Sequence, residues 1–348
     1  MSRHRMGSAA AVAGAAAIVW TAVAPVAGQS APKAAVKAFT PARTPWGDPD
    51  ISGIFTNKDE QGVPFERAAE FAGRALVTDE EFQARVNQAV RQLATDNSEF
   101  DIATADTRNA GAVGSATSPP PHWLDRGKPS RRTSRIVEPA DGRIPPQTPE
   151  GQKRIADRNA ERARARSGRG PSDSYTDRSL YDRCITRGLP GSMMPAIYGN
   201  SYEIVQAPGM VAIRYEMVHE TRVVPLDGRK PLPEYMQSYM GDSRGHWEGD
   251  TLVVEGSRYL EASAFGGASS RLRTIERFRP TSKHMIEWSI TFDDATTWLK
   301  PWTFGMRLTR DDEHPIFEYA CHEGNEGLRG ILSAARAAEK EAPARPSR

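Results

Sequence analysis

The residues of this chain that could do chemistry lie almost entirely in its C-terminal half. Both cysteines, Cys184 and Cys321, and five of the seven histidines follow residue 180. Histidine has an unperturbed pKa of about 6.5, so it can take up or release a proton at neutral pH. The sequence therefore predicts any catalytic site in this half.

The two cysteines indicate how distant segments meet. In an exported chain, Cys184 and Cys321 are expected to form one disulfide across about 137 residues. The bond would bring Arg183 beside His322 and Glu323. The alternative is that Cys321 is a nucleophile partnered by a histidine, which needs a reducing compartment.

His219 is the second candidate for proton transfer. It shares the parity of the apolar residues in a strand predicted over 210–224, so it is expected at the end of the inward face, at a barrel mouth. A core histidine bonded to a backbone carbonyl is the other interpretation. The opposite parity predicts a surface row of ion-pairing residues, namely Glu216, Glu220 and Arg222.

A polar loop predicted over 242–250 adds side chains that could point into this mouth, Asp242 and Arg244. The candidate catalytic residues are therefore His219, His322, Glu323, Arg183, Arg244 and Asp242. We expect the anion or oxyanion partner to be Arg183, Arg187 or Arg244.

No cofactor is predicted, because the chain has no dinucleotide fingerprint, phosphate loop or haem-attachment motif. A divalent metal is the alternative. His219, His246 and His322, with Glu220 or Glu323, supply nitrogen and oxygen ligands for zinc or iron, although no recognised spacing supports it.

The first residues predict export to the periplasm or the medium. Arg3 and Arg5 precede an Ala/Val-rich run over 9–23 that ends in small residues near 28, which is typical of a signal peptide; a membrane anchor is the competing interpretation. Cleavage would leave no transmembrane segment and 44 basic residues against 44 acidic ones, because only two of the 46 Lys and Arg precede residue 29. This neutrality disfavours nucleic acid as a partner. A stripe of arginines over 148–166 predicts a solvated helix.

Alternating apolar residues predict the elements that position these groups. Strands are expected at 202–206, 210–224, 251–255, 272–278, 285–292, 298–308 and 316–321. Without intervening helices, such strands favour a mainly β fold, a lipocalin-like antiparallel barrel, with a β-sandwich as the alternative. The predicted organisation is a signal peptide at 1–28, a tether at 29–43, an N-terminal arm with helices and irregular wrapping at 44–172, the barrel at 173–336 and a disordered tail at 337–348.

Three runs carry a resemblance to a known family. TPWGDPD at 44–50, GDSRGHWEGDTLVVE at 241–255 and YACHEGN at 319–325 resemble a family of exported bacterial proteins without an established activity, so the resemblance implies no catalytic residues. The Gly53-Ile54-Phe55 run is similar to the Gly-x-Trp opening of lipocalins, which implies a barrel.

Two functions of different class remain open. The first is an enzyme, a non-redox lyase, isomerase or hydrolase, that uses acid/base chemistry on a small apolar or aromatic compound in a barrel pocket. The second is a non-catalytic protein that binds a hydrophobic ligand or has a structural role in the cell envelope. The charged groups expected around the histidines favour the enzyme.

Overall fold

The computed structural model describes residues 39–97, 124–166 and 172–341. The predicted signal peptide and residues 29–38 of the tether lie outside the described residues, as do 342–348 of the predicted tail. From Phe39 onward the described residues belong to one compact unit.

The described residues form a single antiparallel sheet of ten strands. These are β1 (Gly53–Thr56), β2 (Ile136–Glu138), β3 (Ser201–Ala207), β4 (Met210–Tyr215), β5 (Thr221–Pro225), β6 (Asp242–Glu248), β7 (Thr251–Ser257), β8 (Arg273–Ser282), β9 (Met285–Asp293) and β10 (Trp302–Arg310). Their order is β5-β4-β3-β1-β10-β9-β8-β7-β6, with β2 on β10.

The sheet curls until its two end strands lie side by side. A Cβ added at Gly245 on β6 would lie 2.7 Å from Cγ1 of Val224 on β5, so the absence of a side chain lets the strands approach. The fold is thus a nearly closed antiparallel β-barrel, and the predicted fold class is confirmed.

Two strands come from the predicted N-terminal arm. β1 lies inside the sheet, where Phe55 is paired with Tyr202 of β3 on one side and with Arg310 of β10 on the other. β2 pairs with the opposite end of β10. The sheet therefore crosses the boundary predicted at residue 172, and the N-terminal segment is part of the barrel.

The structure corrects three predicted segments. The strand predicted over 210–224 is two strands, because a turn at Met217–His219 separates β4 from β5. The predicted polar loop over 242–250 is mostly strand β6, whose small inward residues hid the usual apolar alternation. The strand predicted over 316–321 does not form.

Large side chains fill the inside of the barrel. Trp302 of β10 stacks on Phe292 of β9 with ring centroids 4.6 Å apart, and the same two strands add Phe304 and Trp288 to one hydrophobic cluster. The apolar faces of the strands are thus used for packing.

Three helices of the described residues lie outside the sheet: α1 (Asp79–Asn97), α2 (Pro149–Arg166) and α3 (Glu326–Glu341). The arginine stripe of α2 is not simply solvated. Nε of Arg154 donates to the carbonyl of Gly267 at 2.9 Å, and Arg158 donates to the carbonyl of Ala268 at 3.3 Å.

α3 continues past the boundary predicted at residue 336. No helix in the described part of the chain has both the length and the apolar character needed to cross a membrane.

Candidate functional site

The predicted disulfide is present. Cys184 and Cys321 are bonded, with Cα atoms 5.6 Å apart and a sequence separation of 137. Nδ2 of Asn325 donates to the carbonyl of Asp182 at 2.8 Å, which adds a second link. The segment before β3 is thus fixed to the segment after β10.

A third segment joins this linkage. Nδ1 of His219, in the turn between β4 and β5, lies 3.0 Å from the carbonyl oxygen of Tyr319. We name this region the disulfide pole; it comprises residues 181–187, 198, 216–220 and 319–325.

Unfavourable backbone conformations concentrate at the disulfide pole. Four non-glycine residues of the described chain have a left-handed φ, and three of them lie here: Cys184 at 55°, Val218 at 64° and His219 at 44°. This conformation is least favourable for a β-branched residue such as Val218. Strain of about 1–3 kcal/mol for each such residue persists where surrounding structure enforces it, often at functional sites.

Arg187 is the central cation of the pole. Its guanidinium carbon lies 5.6 Å from the ring centroid of Tyr181. The phenol of Tyr319 interacts with the phenols of Tyr181 and Tyr198. Burial raises the pKa of these three tyrosines, and the charge of Arg187 opposes that rise. The phenols are therefore protonated hydrogen-bonding groups at neutral pH.

No carboxylate of the described residues forms an ion pair with Arg187, and its side chain is only half-buried. A partly desolvated guanidinium without a counter-ion favours an anion from outside the chain. The arrangement can bind a carboxylate or a similar group between one cation and several phenols.

Arg183, on the other side of Cys184, lies over an aromatic ring. Its guanidinium carbon is 5.4 Å from the ring centroid of Tyr175, and its buried Nε has no hydrogen-bond partner among the described residues. Within these residues, no hydrogen bond or ion pair joins Arg183 to His322 or Glu323, whose side chains are exposed.

Glu220 is the acid with a perturbed pKa at the pole. Burial raises the pKa of its half-buried carboxyl, while a hydrogen bond from Thr186 and the charge of Arg222 oppose the rise. Oγ1 of Thr186 donates to Oε2 of Glu220 at 2.6 Å and accepts from the amide of Gly188. A carboxyl that retains its proton to higher pH is suited to act as an acid.

The structure corrects the predicted direction of His219. Because β4 ends at Tyr215 and the turn at Met217–His219 follows, the side chain of His219 is exposed rather than inward. The turn also reverses the alternation beyond it. Arg222, predicted on the surface, is therefore buried, and its guanidinium pairs with the carboxylate of Glu276.

Asp242 and Arg244 have a different setting. They form an ion pair at the start of β6, where Oδ2 of Asp242 accepts from the amide of Leu232 at 2.8 Å and Arg244 donates to the carbonyl of Lys230 at 3.2 Å. These contacts hold the chain between β5 and β6. No hydrogen bond or ion pair connects either residue to His219 within the described chain.

The three histidines considered as metal ligands are not assembled. His246 lies on β6, with Nε2 3.4 Å from Oε1 of Glu248, whereas His219 and His322 belong to the disulfide pole. The described residues contain no group of three or more His, Cys, Asp or Glu that could hold a metal ion.

Sequence reasoning did not find the tyrosines of the pole. A signal was available for two of them, because Tyr181 lies three residues before Cys184 and Tyr319 lies two before Cys321. Residues so close to a disulfide must share its surroundings. Tyr198 has no comparable signal, since only the folded chain brings it to the others.

Comparisons of the chain with protein-family models, with curated proteins and with solved structures found no match.

Proposed function

We propose that this chain belongs to a family of exported bacterial proteins and is an enzyme acting on a small organic anion with an apolar or aromatic body. The reaction is non-redox acid/base chemistry, that of a lyase, isomerase or hydrolase, and the disulfide pole is its site. One observation carries the proposal. The half-buried Arg187 has the phenols of Tyr181, Tyr198 and Tyr319 around it and no carboxylate partner among the described residues.

Two independent features support export. Residues 1–28 have the composition of a signal peptide, and a disulfide persists in oxidising compartments. We therefore assign the protein to the periplasm or the medium.

The pole is a better site than the inside of the barrel, because aromatic side chains occupy the inside. Tyr181 is 38% exposed and Phe317, two residues before Tyr319, is 65% exposed. The ring of Tyr181 offers an apolar surface beside the cation of Arg187. A compound with an aromatic body and one anionic group fits both features.

Five residues of the pole have a role in the proposed mechanism. Arg187 binds the anionic group, and the phenol of Tyr319 donates a hydrogen bond to the substrate. Glu220, whose pKa burial raises, supplies the proton. The exposed His219 and His322 exchange protons with water.

The binding step is tested by calorimetry with 4-hydroxybenzoate and with phenol, which lacks the carboxylate. Arg187→Gln is expected to weaken the binding of 4-hydroxybenzoate at least about tenfold, because a charge-assisted hydrogen bond is lost. The affinity for phenol should be unchanged. Arg271→Gln is the matched control, since Arg271 is exposed and its side chain makes no hydrogen bond or ion pair among the described residues. Equal affinity of the two variants for 4-hydroxybenzoate would contradict the proposed site.

A second candidate is a non-catalytic binding protein. The contact of Nδ1 of His219 with the carbonyl of Tyr319 favours it, because a histidine bonded to backbone has a structural use. The two candidates are separated by incubating the protein with aromatic esters, lactones and hydroxy acids and measuring products by mass spectrometry. Conversion that Glu220→Gln abolishes without loss of binding supports the enzyme. Binding without conversion of any compound supports the carrier.

A further inference from the structure

A second polar site lies on the outside of the barrel, across β8, β9 and β10. Its central floor consists of two small residues, Ser289 and Gly305, which face each other in the strand register. Arg277 is paired with Ser289 on the other side. The small residues leave a hollow of about 410 Å³ between larger neighbours.

The next row of the sheet is charged. Glu287 is paired with Arg279 on β8 and with Arg307 on β10. This row lies two residues along the strands from Arg277, a separation of about 7 Å. Arg132 also lines the hollow and donates to the carbonyl of Gly305 at 2.7 Å.

Positive charge exceeds negative charge in this hollow. Four arginines line it, with Glu287 as the carboxylate among the described lining residues. Arg132 and Arg307 also share one buried carboxylate, that of Glu60, at 3.0 and 2.9 Å. Burial and the neighbouring Arg307 lower the pKa of Arg132 although Glu60 opposes this. The guanidinium groups are thus incompletely neutralised.

Donors remain available on the two arginines of β8. Arg277 uses Nη1 for Glu248 at 2.7 Å, and Arg279 uses Nη2 for Glu287. Their side chains are 47% and 61% exposed. The remaining N–H groups can therefore reach a ligand in the hollow.

We propose that this hollow, the outer groove, binds a compact organic anion that carries two or more carboxylate or phosphate groups. One acidic group contacts Arg277 and the other contacts Arg279 and Arg307, because the two rows are about 7 Å apart, the span of a short polyacid. Val137, which is 46% exposed, contacts its carbon skeleton. The outer groove is independent of Arg187 and the disulfide pole, so it extends the proposed function rather than resting on it.

The experiment is calorimetric titration of the full chain with citrate and, separately, with pyrophosphate at low ionic strength. We expect saturable binding of at least one probe, and the tighter probe identifies carboxylate or phosphate as the preferred group. The double variant Arg277→Gln/Arg279→Gln should weaken the binding of the tighter probe about 100-fold, about tenfold for each guanidinium. Ser289→Leu, which fills the hollow without changing charge, should weaken it at least about tenfold through lost volume.

Two controls make the result specific to the groove. Arg273→Gln changes an exposed arginine on the same face of β8 outside the hollow, and it should change the dissociation constant less than about twofold. Arg187→Gln should likewise leave it unchanged. Absence of saturable binding, or an unaltered constant in the double variant or in Ser289→Leu, would overturn the proposal. Loss of binding in Arg187→Gln alone would assign the anion to the disulfide pole instead.

Discussion

The ion pair between Arg222 and Glu276 offers the strongest test of how this barrel is held together. Only 3% of the Arg222 side chain is exposed and none of the Glu276 side chain is. Oε2 of Glu276 accepts from Nη2 of Arg222 at 2.9 Å and from Nε1 of Trp288 at 3.1 Å. Burial lowers the pKa of Arg222, but the carboxylate of Glu276 more than offsets this, so the pKa of Arg222 is raised overall and its guanidinium stays charged.

Glu276→Gln removes the negative charge and keeps an oxygen that can accept from Trp288. The remaining guanidinium would then be a buried charge without a counter-ion. Removing one partner of a buried pair costs about 3–5 kcal/mol, so we expect a loss of that size in the free energy of unfolding. The double variant Arg222→Met/Glu276→Gln removes both charges and should recover most of it.

Urea denaturation followed by tryptophan fluorescence measures these changes, with the midpoint shifted and the slope unchanged. The half-buried pair Arg214–Glu203, on paired strands β4 and β3, is the matched control, and Glu203→Gln should cost less than about 1 kcal/mol because both side chains still reach solvent. A loss below about 1 kcal/mol for Glu276→Gln, or a double variant less stable than this single variant, would refute the reasoning.

Two further predictions concern the disulfide pole. Reducing Cys184–Cys321 should lower the free energy of unfolding by about 5 kcal/mol, the loop-closure value for 137 residues; an unchanged urea midpoint in reductant would mean that other contacts hold the ends. Burial raises the pKa of Glu220. The stability that its carboxyl contributes to the fold is therefore complete below its pKa of 4.5 in the unfolded chain, and it is lost as pH rises through its pKa in the folded chain. Glu220→Gln should therefore gain stability relative to wild type from about pH 4 to about pH 7, and a constant difference would contradict this.

The parts of the fold that follow a local rule could be predicted. In β9, Ile286, Trp288, Ile290 and Phe292 alternate with polar residues, and all four are buried as the alternation predicts. The disulfide followed from simple arithmetic, since the chain has two cysteines and a signal-like start. These signals are contained in short segments or in composition.

The remaining parts depend on contacts that no short segment encodes. β6 was missed because Gly245 and Ser243 take inward positions that apolar residues usually occupy, and Gly245 is needed where β5 approaches. The burial of Arg222 was missed because one turn before it reverses the alternation. The disulfide could have placed Tyr181 and Tyr319 together, but only the folded chain shows that Tyr198 joins them.

Arg222 and Arg187 differ in whether a carboxylate of the chain pairs with their charge. Arg222 is enclosed and has the carboxylate of Glu276, as a buried charge requires. Arg187 is half-buried and has no such partner among the described residues, although a solvated surface arginine would be the simpler arrangement. The turn before Glu220 also holds Val218 and His219 in left-handed conformations that cost about 1–3 kcal/mol each. The anion that we propose at Arg187 would supply the partner that the described residues do not.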